Sequence, residues 1–155
     1  MSQYSTPPIQ IMLIDDHKSI LWGLQKLIDS DGRFKVCAIA ATPTDALNQI
    51  KLHHPDIIML DLDLGSENGA DLIPQLLTQT KAKIIVLTGV RDTEAHDKAV
   101  VRGARGILTK DEDPQQLLKA IECVHQGELW LNRNATSRIL MEIAKANAPK
   151  QVSKE

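Results

Sequence analysis

Hydrophobic positions along the chain alternate between two patterns. Ile9–Ile14, broken only by Gln10, and the run Ile57-Ile58-Met59-Leu60 are continuous aliphatic stretches, as expected of strands covered on both faces in a parallel sheet between helix layers. Phe34–Ala40 predicts a second strand, with Phe34, Val36, Ala38 and Ala40 on one face and Cys37 and Ile39 on the other. The third strand is placed at Asp56–Leu60, the fourth at Lys83–Leu87 and a short fifth at Ile107–Thr109. Between them the apolar spacing becomes helical. Ser19–Ile28 carries Ile20, Leu21, Leu24, Leu27 and Ile28, and a second helix follows Thr42 with Ala46, Leu47 and Ile50. Thr42 is its predicted cap, with Pro43 at the first helical position. The segment Asp61–Asn68, with Gly65, reads as a polar loop; a third helix then opens at Gly69 with Leu72, Ile73, Leu76 and Leu77 pointing inward, and Pro74 should bend it. The fourth, Thr93–Arg102, has little apolar area and so is only lightly anchored. The fifth starts at Asp113-Pro114, buries Leu117, Leu118, Ile121 and Val124, and ends at Gly127. Five strands alternating with five helices give an α/β fold built on one five-stranded parallel sheet with helices on both faces.

The pattern changes outside this span. Met1–Pro8 reads as a disordered leader. After Gly127, Leu129-Trp130-Leu131 is an extended apolar link, and Ile139, Leu140 and Ile143 mark one more amphipathic helix to about Ala146, capped by Asn132 or Asn134. Asn147–Glu155 is polar and expected to be disordered. The expected divisions are therefore a leader over 1–8, one domain over 9–127, a linker over 128–146 and a tail over 147–155. A formal charge of −2 argues against an electrostatic grip on nucleic acid or an anionic membrane. Cys37 and Cys123 lack metal-ligand or CxxC spacing, which predicts two reduced, buried thiols in a cytoplasmic protein. No run approaches the length of a membrane span.

The strand ends carry the chemistry. Asp15 and Asp16 follow the first strand, Asp61 the third, Thr88 the fourth and Lys110 the fifth. Parallel strands bring these ends to one edge of the sheet, where open α/β folds place their ligand sites. Three carboxylates in close quarters repel one another, and a hard divalent cation, best Mg2+, relieves that repulsion. Asp61 can then act as a nucleophile toward phosphorus and form an acyl phosphate. The Thr88 hydroxyl and the Lys110 ammonium would hold oxygens of the transferred group. No GxxxxGK[ST] loop occurs. His17, next to the acids, invites a metal-ligand or catalytic role but reads better as a helix-entry histidine facing water, and His53, His54, His96 and His125 lack partners at ligand spacing and read as surface positions.

With Ile14-Asp15-Asp16-His17, the stretch around Asp61, Leu87-Thr88 and Gly103–Lys110 in view, the sequence from about Ile9 to Gly127 resembles the response-regulator receiver family. The segment Lys110–Pro114 and the linker from Trp130 to Ile143 are similar to the NarL/FixJ subgroup, whose members usually continue into a helix-turn-helix DNA-binding domain. The resemblance implies a flavodoxin-like strand order, 2-1-3-4-5. It implies that a sensor histidine kinase phosphorylates Asp61. It further implies that Asp16, Asp61 and the Asp63 backbone carbonyl hold Mg2+, with Asp15 joining through water. Thr88 and Lys110 would contact the phosphoryl group and carry the change to the face of the fourth helix, fifth strand and fifth helix. The chain departs from the family at Leu64-Gly65-Ser66, where Met-Pro-Gly is frequent, and at Gly89, where alanine is common. Ile107 replaces the usual switching aromatic, and Asp63 adds charge beside Asp61.

The expected function is therefore a phospho-accepting signalling domain, not an enzyme beyond self-phosphorylation from small donors and self-dephosphorylation. Two rival readings are an aspartyl-phosphate hydrolase and a receiver-like interaction domain that is never phosphorylated. Residues 128–155 are too few for a helix-turn-helix, so DNA contact is expected only through a domain absent from this chain, with truncation of a longer regulator the favoured explanation. A phosphorylation-dependent homodimer is compatible with the resemblance, and no membrane partner is expected.

Overall fold

A computed structural model describes residues 6–65, 67–89 and 93–147. Strands β1 (Ile9–Ile14), β2 (Phe34–Ala40), β3 (Ile57–Asp61), β4 (Lys83–Thr88) and β5 (Gly106–Thr109) pair in parallel in the order β2-β1-β3-β4-β5. The continuous aliphatic runs are buried on both faces. Ile57 and Met59 pack with α1 (Lys18–Asp29) and α5 (Pro114–His125), while Ile58 and Leu60 pack with α2 (Pro43–Ile50) and α3 (Leu72–Leu77). Each such side chain removed from water contributes about 1.5–3 kcal/mol, which makes the strand core the main source of stability.

Both predicted proline starts are present. Thr42 accepts the Asp45 N–H at 3.0 Å ahead of Pro43, and Asp113 accepts the Gln115 N–H at 2.8 Å ahead of Pro114. Helix α4 (Thr93–Val101) is lightly anchored as expected, with Ala99 its one buried residue. Helix α6 (Arg133–Asn147) contacts it and is tied to it by an ion pair from Arg138 to Asp97 at 3.0 Å, while Ile139 of α6 is only 3 % exposed. Asn132 immediately precedes α6, whereas Asn134 lies inside it and is not its cap. The linker before α6 extends the sheet edge: Ile107 N–H donates to the Trp130 carbonyl, and Trp130 N–H donates to that of Arg105.

Five details differ from expectation. In β2 the register slips by one residue opposite Ile11 and Met12, so the alternation inverts; Phe34 and Val36 pack on the α1 and α5 side, Ala38 and Ala40 on the other. The segment after Asp61 is not a plain polar loop but a small hairpin, Asp63–Leu64 against Glu67–Asn68, that buries Leu62 and Leu64. Pro74 does not bend a long helix: a 3-10 turn, Gly69–Asp71, leads into the short α3, and Leu77 at its end is exposed. Of the α6 stripe only Ile139 is buried, with Leu140 and Ile143 left exposed. Cys37 and Cys123, expected to be buried, are free but only partly buried. The expected disorder of the leader and tail falls largely on residues 1–5 and 148–155, and Ser66 likewise lies outside the described residues. No helix among those described is long and apolar enough to cross a membrane.

Candidate functional site

The carboxyl ends of β1, β3 and β5 converge. Asp15 leaves β1 directly into the turn before α1 and is 2 % exposed, and Asp61, the last residue of β3, is 1 % exposed. Lys110 follows β5 and extends its amine to 3.0 Å from Asp61 Oδ2 and 3.5 Å from Asp15 Oδ2. Thr88 closes β4, one residue past the register partner of Asp61, and is fully buried; its carbonyl accepts the Lys110 N–H at 2.9 Å. Asp16 lies at the exposed rim. Asp63 follows two residues after Asp61, exposes its side chain and donates its N–H to Asp61 Oδ1 at 3.0 Å.

The early acids do not cap α1. Asp15 Oδ1 instead accepts the backbone N–H of His17, and the His17 side chain makes no capping bond. The expectation that His17 faces water is overturned at its Nδ1, though the ring remains half-exposed. Nδ1 lies 2.8 Å from Asp15, 3.2 Å from Asp16 and 3.3 Å from Asp61, because three carboxylates draw in any donor within reach. The hydrogen bond to Asp15 holds the imidazole pKa above its ordinary value, against the opposing charge of Lys110. Burial pushes the Asp61 carboxyl upward, and the Asp15 charge adds to that; the Asp63 N–H and Lys110 pull the other way.

These residues fit a divalent cation. Asp15 Oδ2 is buried and accepts no hydrogen bond, and ligand-capable atoms of Asp15, Asp16, His17 and Asp61 lie within 4.8 Å of one another. An acid-rich hollow with an unsatisfied oxygen suits a hard ion such as Mg2+. The backbone around it is tightly set. A Cβ on Gly69 would run into the Asp61 carbonyl oxygen and stand 2.9 Å from Leu62 Cα, so only glycine lets the chain pass behind Asp61. Gly65, at φ 64, turns the hairpin beside Asp16. Neither the inward turn of His17 nor the crowding at Gly69 has a local signal, since both depend on strands distant in sequence.

A sequence model of the response regulator receiver domain matches residues 11–122. The chain is 31% identical over 141 residues to the nitrate/nitrite response regulator protein NarL of Escherichia coli K12, covering 90% of this chain and 65% of that protein. It is 26% identical over 155 residues to the transcriptional regulatory protein DegU of Brevibacillus brevis, covering 99% and 66%. The chain thus spans just under two thirds of the length of these curated relatives. A two-component response regulator of the LuxR family from Aurantimonas superposes with a TM-score of 0.77 at 29% identity, covering 88% of this chain and 99% of that one. A response regulator from Burkholderia pseudomallei, solved with a phosphorylated aspartic acid, a calcium ion and citrate, gives 0.67 at 28% identity, covering 89% and 74%.

Proposed function

Because the chain belongs to the response regulator receiver domain family, we propose that it accepts a phosphoryl group on Asp61 and uses the acyl phosphate to reset its contacts with partners. The observation that carries this reading is the approach of Lys110 to within 3.0 Å of Asp61 Oδ2, in a hollow where Asp15 keeps an unsatisfied buried oxygen. Asp61 is buried at a strand end with one carboxylate oxygen held by the Asp63 N–H, which leaves Oδ2 as the attacking atom. That oxygen forms a bond to phosphorus while the donor's N–P bond breaks, and the departing imidazole of a sensor kinase histidine takes up a proton. Lys110 then moves from the carboxylate to a phosphoryl oxygen, and the Thr88 hydroxyl donates to another. Asp16, Asp61 and the Asp63 carbonyl would hold Mg2+, with Asp15 reaching it through water. The ion, when bound, offsets negative charge on the phosphoryl oxygens.

The switch follows from connectivity. The Lys110 N–H is bonded to the Thr88 carbonyl, so the ends of β4 and β5 respond together, and α4 next to them is held by little buried area. Ile107 has no aromatic ring to flip, which leaves backbone and helix movement as the output. By analogy with the transcriptional regulators it resembles, the chain serves transcriptional control in a two-component pathway, and its place is the cytoplasm.

Incubation with acetyl phosphate and Mg2+ tests this by intact mass. One phosphoryl group should be added, none in Asp61→Asn, and Lys110→Ala should slow the gain on the order of 100-fold, the typical cost of losing one charge-stabilising donor. An undiminished gain in Asp61→Asn would reject the assignment.

A further inference from the structure

One side chain in the hollow has no part in the reading above. His17 Nδ1 approaches all three carboxylates, at 2.8, 3.2 and 3.3 Å, and the four ligand-capable atoms fall within 4.8 Å of one another, close to the span of a single coordination sphere. Asp15 Oδ2, buried and without a hydrogen bond, independently marks the hollow as built for a further positive partner; the Lys110 amine is 3.5 Å from it. The His17 ring bonds only within the hollow, to Asp15 at 2.8 Å and beside the Lys110 amine at 3.2 Å. It precedes α1 with an extended backbone, makes no capping bond through its side chain, and leaves its ring half-exposed and able to turn.

Resting on the reading of this hollow as a cation site, we infer that His17 Nδ1 is itself a cation ligand. The site then holds imidazole-seeking divalent ions of the Co2+, Ni2+ and Zn2+ class more tightly than its carboxylates alone would. The chemistry separates the two kinds of ion. Mg2+ prefers oxygen and keeps its waters, so it draws little from an imidazole. Later transition ions bind imidazole strongly, so one nitrogen beside the Asp16 and Asp61 carboxylates shifts the preference of the site toward them. On binding, the ring adopts the neutral tautomer with its proton on Nε2, and its lone pair on Nδ1 replaces the bond to Asp15. Lys110, whose Nζ is 3.2 Å from Nδ1, moves aside toward Asp61.

Titration calorimetry of the full chain and of His17→Ala with Co2+ and with Mg2+ decides the matter. The variant should lose at least about tenfold in Co2+ affinity, the loss typical even of outer-shell partners, and should keep its Mg2+ affinity within about twofold, since Mg2+ relies on oxygen ligands. Proton NMR of the Co2+ form supplies a second readout: a hyperfine-shifted, exchangeable imidazole N–H should be present in the native chain and absent from the variant. Unchanged Co2+ affinity, or an equal loss for both ions, would overturn the inference while leaving the Mg2+ reading intact. Absence of binding by either ion to the native chain would defeat both.

Discussion

Asp61 is held in a place that disfavours its own charge. Burial raises its pKa above the unfolded value, with Asp15 adding to the effect, so the folded state binds this proton more tightly than the unfolded chain. The linkage has a definite sign. Above the raised pKa the ionised carboxylate opposes folding in full, and that opposition disappears as pH falls through the folded pKa to the unfolded one. In metal-free buffer, Asp61→Asn should therefore be more stable than the native chain near pH 7, with the gain fading below about pH 4, where the carboxylate is protonated in both states. Urea midpoints at the two pH values check this; a loss of stability at neutral pH would mean that Lys110 and the Asp63 N–H outweigh burial. The Asp15, Asp16, Asp61, Thr88 and Lys110 positions were legible in the sequence because each follows a recognisable strand. His17 was not: its neighbour Asp61 is 44 positions away, and nothing in the local pattern tells whether a helix-entry ring turns inward or out.

Among the elements, those defined by local rules were readable and those defined by tertiary contact were not. Thr42-Pro43 and Asp113-Pro114 announce their helices through capping chemistry within four residues. The slip in β2 depends instead on its pairing with β1, and an alternating run cannot reveal where an extra residue is accommodated. The hairpin after Asp61 was read as polar, although the leucines of Asp61-Leu62-Asp63-Leu64 alternate with the acids and sink inward. In α6 the stripe of Ile139, Leu140 and Ile143 marks an amphipathic helix, yet of the three only Ile139 is buried. The Arg138–Asp97 pair is thus a principal tie between the two helices. Arg138→Ala should cost no more than about 1 kcal/mol in global stability, as partly exposed ion pairs do, yet clearly speed amide exchange in α6. Hydrogen exchange resolved by residue checks this, and unchanged protection of α6 would show that Ile139 alone anchors it.

At the scale of the whole molecule, the parallel sheet brings a set of residues scattered in sequence to one edge. Two apolar layers pack on β1, β3, β4 and β5 and so hold the backbone positions of the polar residues that end them. The lightly held α4, with α6 leaning on it, is the part of the fold best able to respond. The most direct test of this account is chemical trapping of the phosphorylated protein. Treatment with borohydride reduces an aspartyl phosphate to homoserine, and peptide mapping then locates it. Residue 61 should be recovered as homoserine after incubation with acetyl phosphate and Mg2+, and no other aspartate should be converted. Homoserine at another position, or none in a protein that has gained phosphoryl mass, would contradict it.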